Sequence, residues 1–148
     1  MQPLDAVVVD ARLRELTAAW AADPDIAAIW VFGSRASGRP RPWSDIDLAV
    51  ALASGLDAKR RSQKHGELLA DACARLGTDA VDLVVLEDAP SVLAHRVIAG
   101  GRRLAVRDST RTVHVVEDVF RRYIDEAPLR AVLDAGLAAR LREGRYAG

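Results

Sequence analysis

The chain has 148 residues, of which half are hydrophobic and 28% are charged. This length suits one domain and leaves no room for a second domain of ordinary size, and the composition excludes disordered and fibrous proteins. The 21 basic residues are balanced by 21 acidic residues, so no overall positive field attracts nucleic acid. We therefore expect a globular protein without direct nucleic-acid binding.

Signals for export, membrane insertion and disulfide formation are missing from the sequence. The amino terminus has no basic leader ahead of an apolar run, and no stretch of about 18 apolar residues occurs. The single cysteine, Cys73, has no disulfide partner in the chain and suits a reducing compartment. These features predict a cytoplasmic protein that does not span a membrane.

The first half of the chain predicts a helix and two strands. Residues 5–22 predict an amphipathic helix, with Val8, Ala11, Leu16, Ala19 and Trp20 near helical spacing. The apolar run 26–32 predicts a buried strand that stops at Gly33-Ser34. Residues 45–50 alternate acidic and apolar side chains at first, which predicts a strand with one acidic face at its start.

The second half predicts more helix than strand. Residues 57–76 predict a helix with Gly77 as its C-cap, residues 81–86 a third strand, and residues 91–99 a short helix closed by two glycines. A brief edge strand at 104–106 precedes two helices, at about 109–126 and 128–143. This order predicts an α/β (α+β) fold, in which helices flank a small mixed sheet.

The most informative segment is Gly33-Ser34, followed after ten residues by Asp45-Ile46-Asp47. Carboxylates two residues apart on a strand share one face and reach one small volume, which becomes strongly anionic. Oxygen ligands of this kind suit magnesium, which completes its shell with water and substrate phosphates. A glycine at a strand end allows close backbone approach, and a serine offers donors to phosphate. The alternative is an acidic pair that only solubilises a strand end.

This segment, Gly33 to Gly38 followed by Ser44 to Leu48, resembles the signature of the polymerase-beta-type nucleotidyltransferase superfamily, and more narrowly its minimal, MNT-type members. The resemblance covers about residues 10–106. It implies that Gly33 and Ser34 hold the phosphates of ATP and that Asp45 and Asp47 bind two Mg²⁺ ions. It also implies a single nucleotidyltransferase domain over residues 1–148, with a catalytic core at about 10–106 and C-terminal helices at about 108–144.

In that family a third acid from a neighbouring strand completes the site, and Asp82 is the candidate here. Asp79 lies three positions earlier and would face the other side of the strand, so we interpret it as a residue that leads into the strand. Arg35, Arg39 and Arg41 are alternative phosphate contacts, since the guanidinium group offers a fork of donors.

The resemblance implies in-line transfer of a nucleoside monophosphate. Two Mg²⁺ ions would activate the acceptor hydroxyl and neutralise the departing pyrophosphate. Asp45, Asp47 and Asp82 would be the metal ligands, and Asp82 would also accept the proton of the acceptor.

The acceptor is expected on another polypeptide, because only about 40 residues follow the last predicted strand, too few for a dedicated acceptor pocket. Stand-alone MNT proteins are typically antitoxins that place AMP on a tyrosine of a HEPN-type, HepT-like ribonuclease toxin, whose RNA-cutting site the added phosphate blocks. Two other hypotheses stay open: nucleotidylation of a small hydroxylated molecule such as an aminoglycoside, and a non-catalytic antitoxin that masks its toxin by binding.

Two pairs, Arg60 with His65 and Arg107 with His114, are spaced like the arginine and histidine of a HEPN toxin motif. In a chain with 19 arginines among its 21 basic residues, we interpret this spacing as coincidence.

Overall fold

The computed structural model describes residues 5–37 and 45–144 of the chain. The elements in chain order are α1 (Ala6–Ala21), β1 (Ile26–Phe32), a one-turn 3-10 helix (Gly33–Arg35), β2 (Ile46–Leu52), α2 (Ala58–Leu76), β3 (Val81–Val85), α3 (Ser91–Gly100), β4 (Arg102–Val106), α4 (Ser109–Asp125) and α5 (Ala127–Arg142). Every predicted helix and strand is present in the predicted order.

The four strands form one mixed sheet in the order β3-β2-β1-β4. Strand β1 is antiparallel to both β2 and β4, whereas β3 is parallel to β2. The parallel pair needs a crossover, which α2 supplies between its two strands. The prediction of a small mixed sheet flanked by helices is therefore confirmed.

Helices cover both faces of the sheet. On one face α1 and α2 pack over a cluster that includes Leu16, Trp20 and Leu48. On the other face α3 and α4 pack over Trp30, Ala49 and neighbouring side chains. The central strands are therefore apolar on both sides, because neither side meets water.

Local sequence signals account for most helix ends. The carboxylates of Asp5, Asp57 and Asp108 each accept a hydrogen bond from a backbone N–H in the first turn of α1, α2 and α4. Helix α2 ends at Gly77, which has a φ of 71°, a conformation that glycine adopts without steric cost.

Three details differ from the sequence predictions. Val8 is 40% exposed, while Val9 and Leu13 are buried, because helix α1 turns a different side of its three consecutive valines to the core. Strand β4 begins at Arg102 rather than at residue 104, since pairing with β1 draws both arginines into the strand. Strand β2 begins at Ile46, so Asp45 lies just before it.

The C-terminal helix α5 contributes little to the core. None of its residues is buried, and Leu129, Val132 and Leu133 are between 58% and 68% exposed. Its best-defined anchor is Arg130, whose guanidinium carbon lies 3.7 Å from the centre of the Tyr123 ring. No helix in the described part of the chain has the length and apolarity needed to cross a membrane.

Removing residues 131–148 is expected to change the melting temperature by less than about 2 °C, because side chains that stay in water contribute little to stability. Thermal unfolding followed by circular dichroism checks this. A decrease of more than about 5 °C would show that α5 supports the core.

Candidate active site

The three candidate acids lie at one end of the sheet, where β2 and β3 begin and β1 ends. Strand pairing sets Asp47 opposite Phe32 on one side and opposite Asp82 on the other. Partners in register on neighbouring strands direct their side chains to the same face of the sheet. The Asp47 and Asp82 carboxylates therefore share one face and lie in one row.

The face that carries these acids is the one under α3 and α4. Ala49 and Ala51 pack in the cluster on that side, and Asp47 shares their face because alternate residues of a strand point the same way. Asp47 is half-buried, whereas Asp82 and Asp45 are exposed. We call Asp47 and Asp82 the acidic row. It runs from the central strand β2 to the outermost strand β3.

Gly33 packs directly against the Asp47 carboxylate. It has a φ of 69°, and a Cβ built at this position would collide with Oδ2 of Asp47. Both its backbone conformation and the space beside it therefore require glycine. The turn brings the main chain at the end of β1 next to the acids, as the sequence predicts for a glycine at a strand end.

The turn continues through Ser34 and Arg35, both half-buried. The Ser37 hydroxyl donates a hydrogen bond to the Ser34 carbonyl oxygen at 2.8 Å, and the Ser37 N–H donates to the Gly33 carbonyl at 3.3 Å. These bonds fix the course of the main chain after β1.

Arg35 carries an unused donor at this turn. Its Nε is buried and has no hydrogen-bond partner among the described residues, an arrangement that is costly unless a ligand supplies an acceptor. Arg39 and Arg41, the two other predicted phosphate contacts, lie outside the described residues.

The electrostatics of the acids are unusual. Burial of its carboxyl group, the negative charges of Asp82 and Asp45, and a side-chain hydrogen bond with Asp82 raise the pKa of Asp47 from 3.8 to about 6. Each of these effects favours the protonated form over the charged form. The site therefore holds more negative charge than its surroundings compensate.

The carboxylate oxygens of the candidate acids are suitable ligands for a divalent cation. Within residues 5–37 and 45–144, no three side chains of His, Cys, Asp or Glu are gathered closely enough to form a metal centre. In the same ranges, however, no ion pair joins Asp45, Asp47 or Asp82 to a basic side chain. Carboxylate oxygens with uncompensated charge are the donors that Mg²⁺ prefers.

Three residues without a predicted role in the site have ordinary structural surroundings. Asp79 is exposed and lies in the bend before β3. Nε2 of His65 lies 2.8 Å from the Leu83 carbonyl oxygen, and Arg60 forms ion pairs with Asp25 and Glu67. The spacing of Arg60 and His65 is thus accounted for by contacts inside this fold.

The fold and the acidic row define a nucleotidyltransferase. Residues 14–110 match the family model of polymerase beta nucleotidyltransferases. The chain belongs to the polymerase beta nucleotidyltransferase family.

Comparison with individual proteins indicates which members of this family the chain resembles. The chain is 32% identical, over 124 residues, to the protein adenylyltransferase MntA of Shewanella oneidensis, a match that covers 82% of this chain and 86% of that protein. The fold matches a chain in the crystal structure of a toxin–antitoxin with AMP-PNP, with a TM-score of 0.64 and 27% identity, covering 86% of this chain and 98% of that chain.

A further match is to a chain in the structure of a tri-AMPylated Shewanella oneidensis HEPN toxin in complex with its MNT antitoxin. The TM-score is 0.58 and the identity is 27%, over 85% of this chain and 98% of that chain. The resemblance to MNT-type proteins is therefore confirmed at the level of the family and of its MntA-like members.

Proposed function

We propose that this protein is a Mg²⁺-dependent adenylyltransferase that neutralises a HEPN-type, HepT-like toxin by transferring AMP from ATP to a tyrosine of that toxin. The observation that carries the proposal is the pairing of Asp47 with Asp82 in one row, with Gly33 packed on the Asp47 carboxylate. Similarity to MntA supports the choice of a protein acceptor.

Three carboxylates, those of Asp45, Asp47 and Asp82, would hold the metal once it binds, because the charge of the ion would draw together side chains that are not closely gathered without it. When bound, Mg²⁺ would neutralise negative charge that develops on the phosphates. Asp82 is exposed at the edge of the site, where it can accept the proton of an approaching hydroxyl. The acceptor oxygen bonds to the α-phosphorus of ATP, the bond from that phosphorus to the β-phosphate oxygen breaks, and pyrophosphate leaves.

The turn after β1 would bind the nucleotide. Gly33 lets the main chain of the turn approach Asp47 closely, so phosphates bound by the turn would lie beside that carboxylate, and Ser34 offers its hydroxyl and its backbone N–H. The buried Nε of Arg35 has no partner within the described structure, and a phosphate oxygen would satisfy it. These three residues would orient ATP so that its α-phosphate meets the acidic row.

We further propose that the whole chain acts as a single nucleotidyltransferase domain in the cytoplasm. The family match ends at residue 110, near the start of α4, and the described structure continues from there through α4 and α5. Similarity to a protein adenylyltransferase supports an acceptor that a partner protein supplies.

The test uses the purified protein, a purified HEPN-type, HepT-like toxin, ATP and Mg²⁺, with intact mass spectrometry of the toxin. We expect a gain of at least one AMP on a tyrosine. Asp82→Asn should lower the initial rate by about 100-fold or more, whereas Asp79→Asn, at an exposed position three residues earlier, should not.

Other outcomes would contradict the proposal. If the toxin gains no mass while a panel of aminoglycosides becomes labelled, the acceptor is a small molecule. If a double variant, Asp45→Ala with Asp47→Ala, still rescues growth in cells that make the toxin, neutralisation proceeds by binding alone.

A further inference from the structure

A groove of about 370 Å³ lies beside strand β3, at the outer edge of the sheet. Helix α2 contributes one wall, and the start of α3 with the loop before it contributes the other. Side chains that line these walls and the floor include Ser62, His65, Val84, Ala89, Pro90 and Leu93. We call it the β3 groove. Its floor is a free sheet edge, because no described strand pairs with β3 on that side.

The main chain of β3 directs two residues toward this groove. Just after β3, the N–H of Leu86 donates to the Val50 carbonyl, and just before β3, the Ala80 carbonyl accepts from the first residue of β2. The even-numbered residues of this segment therefore bond to β2. In a parallel pair the residues between them point their N–H and C=O groups away from the neighbouring strand. Leu83 and Val85 are such residues, and both line the groove.

The outward carbonyls of these two residues are occupied, whereas their N–H groups are not. Nε2 of His65 lies 2.8 Å from the Leu83 carbonyl oxygen, and the N–H of Asp88 donates to the Val85 carbonyl at 3.1 Å. Among the described residues, no group accepts a hydrogen bond from the N–H of Leu83 or Val85. The edge thus offers two donors about 7 Å apart, which is the spacing of alternate carbonyls in an extended chain.

The side chains of the groove suit an apolar group better than an ion. Ala89 is buried, and Val84 and Leu93 are half-buried. The charged residues at the rim, Arg61 and Asp88, pair with each other at 2.9 Å, so neither leaves a charge for an ionic ligand. The groove therefore combines an apolar surface with main-chain donors, as sites that bind extended peptides do.

The β3 groove is continuous with the acidic row. Val84 lies two residues after Asp82 on the same strand, so both side chains point to the face under α3 and α4. Val84 and Ala89 pack in the cluster on that face. Two residues of a strand span about 7 Å. A chain that lies along β3 with one side chain against Val84 therefore brings another of its side chains beside Asp82.

We propose that the β3 groove binds an extended segment of the acceptor protein, next to the tyrosine that receives AMP. The inference rests on the proposed function and adds the means by which the acceptor is recognised. Carbonyls of the segment accept hydrogen bonds from the N–H groups of Leu83 and Val85. An apolar side chain two or three residues from the tyrosine packs against Val84, so the groove selects the hydroxyl that reaches Asp82.

Two tryptophan variants on α2 test this inference. Ser62 and Gln63 are both exposed, but Ser62 lines the groove and Gln63 does not. Ser62→Trp places an indole in the groove, so we expect the KM for the toxin to rise at least tenfold, with kcat changed less than threefold and the KM for ATP unchanged. The matched control, Gln63→Trp, should keep the wild-type values. Initial rates of AMP transfer at varied toxin and ATP concentrations give these constants.

The outcomes separate the inference from the proposed function. An unchanged KM for the toxin in Ser62→Trp, or an equal rise in Gln63→Trp, overturns the role of the groove and leaves the proposed function intact. An equal rise in the KM for ATP in Ser62→Trp also overturns it, because the groove would then belong to the nucleotide site. A wild-type protein that transfers no AMP to the toxin removes both.

Amide hydrogen exchange tests the two main-chain donors directly. With the unmodified toxin bound and without ATP or Mg²⁺, exchange at the N–H groups of Leu83 and Val85 should slow at least tenfold. The outward N–H groups of β4, at the opposite edge of the sheet, should exchange as in the free protein. Unchanged exchange at Leu83 and Val85 in the complex overturns the inference, and so does equal slowing at both edges.

Discussion

Replacing Asp47 by asparagine is expected to stabilise the metal-free protein at pH 7 and to remove its transferase activity. The raised pKa of Asp47, about 6 against 3.8, means that the charged carboxylate is disfavoured in the folded state. The shift sets an upper limit of about 3 kcal/mol, and because Asp47 is partly exposed we expect a gain of about 1 kcal/mol. Loss of a metal ligand should slow transfer by about 1000-fold or more.

The pH dependence of stability gives the same prediction a second measurement. A group whose pKa is raised on folding stabilises the folded state below its unfolded pKa and loses that contribution as pH rises through its folded pKa. In the wild type, the contribution of Asp47 to the free energy of unfolding should therefore fall between pH 3.8 and about 6 and stay constant above that range.

Urea unfolding of both proteins in EDTA at pH 4, 5, 6 and 7 checks this. The difference between Asp47→Asn and the wild type should grow over this range, whereas Asp79→Asn should follow the wild type throughout. A destabilised Asp47→Asn protein at pH 7 would contradict the charge repulsion inferred at the site.

Replacing Gly33 by alanine is expected to lower the transfer rate by about 100-fold or more, with a smaller loss of stability, about 1 to 3 kcal/mol. The φ of 69° strains any residue with a Cβ, and this Cβ would meet the Asp47 carboxylate. Asp47 would have to move away from its position opposite Asp82, and small displacements of catalytic groups are costly.

A variant at a second glycine separates the effect of backbone strain from the effect of the collision with Asp47. Gly55 has a φ of 89° but nothing within 4 Å of its Cβ position, so Gly55→Ala has the backbone strain without the collision. We expect Gly55→Ala to lose stability by about 1 kcal/mol and to keep its transfer rate. Equal transfer rates in the two variants would show that Gly33 does not shape the site.

The secondary structure was largely predictable because its signals are local. The apolar run in β1, the aspartates that cap three helices and the glycine after α2 each act on their own neighbourhood. The buried side of α1 was not predictable from local pattern, because three consecutive valines fit more than one helical face. The length of β4 was also missed, since two adjacent arginines do not resemble a strand until β1 pairs with them.

The geometry of the site depended on contacts between distant residues. The motif and the parity of the strand pointed to Asp82, yet its register opposite Asp47 arises from the crossover through α2. The close approach of Gly33 to Asp47 is likewise a product of the antiparallel pairing of β1 and β2.

The position of Asp82 on the outermost strand bears on the size of substrate that the enzyme can accept. Strand β3 has β2 on one side and no further described strand on the other, and the Asp82 side chain is exposed. A hydroxyl carried on the surface of a large folded molecule can approach this acid sideways, without having to enter a closed chamber. Such an open flank suits a bulky acceptor better than a freely diffusing metabolite, which gains its affinity by being enclosed.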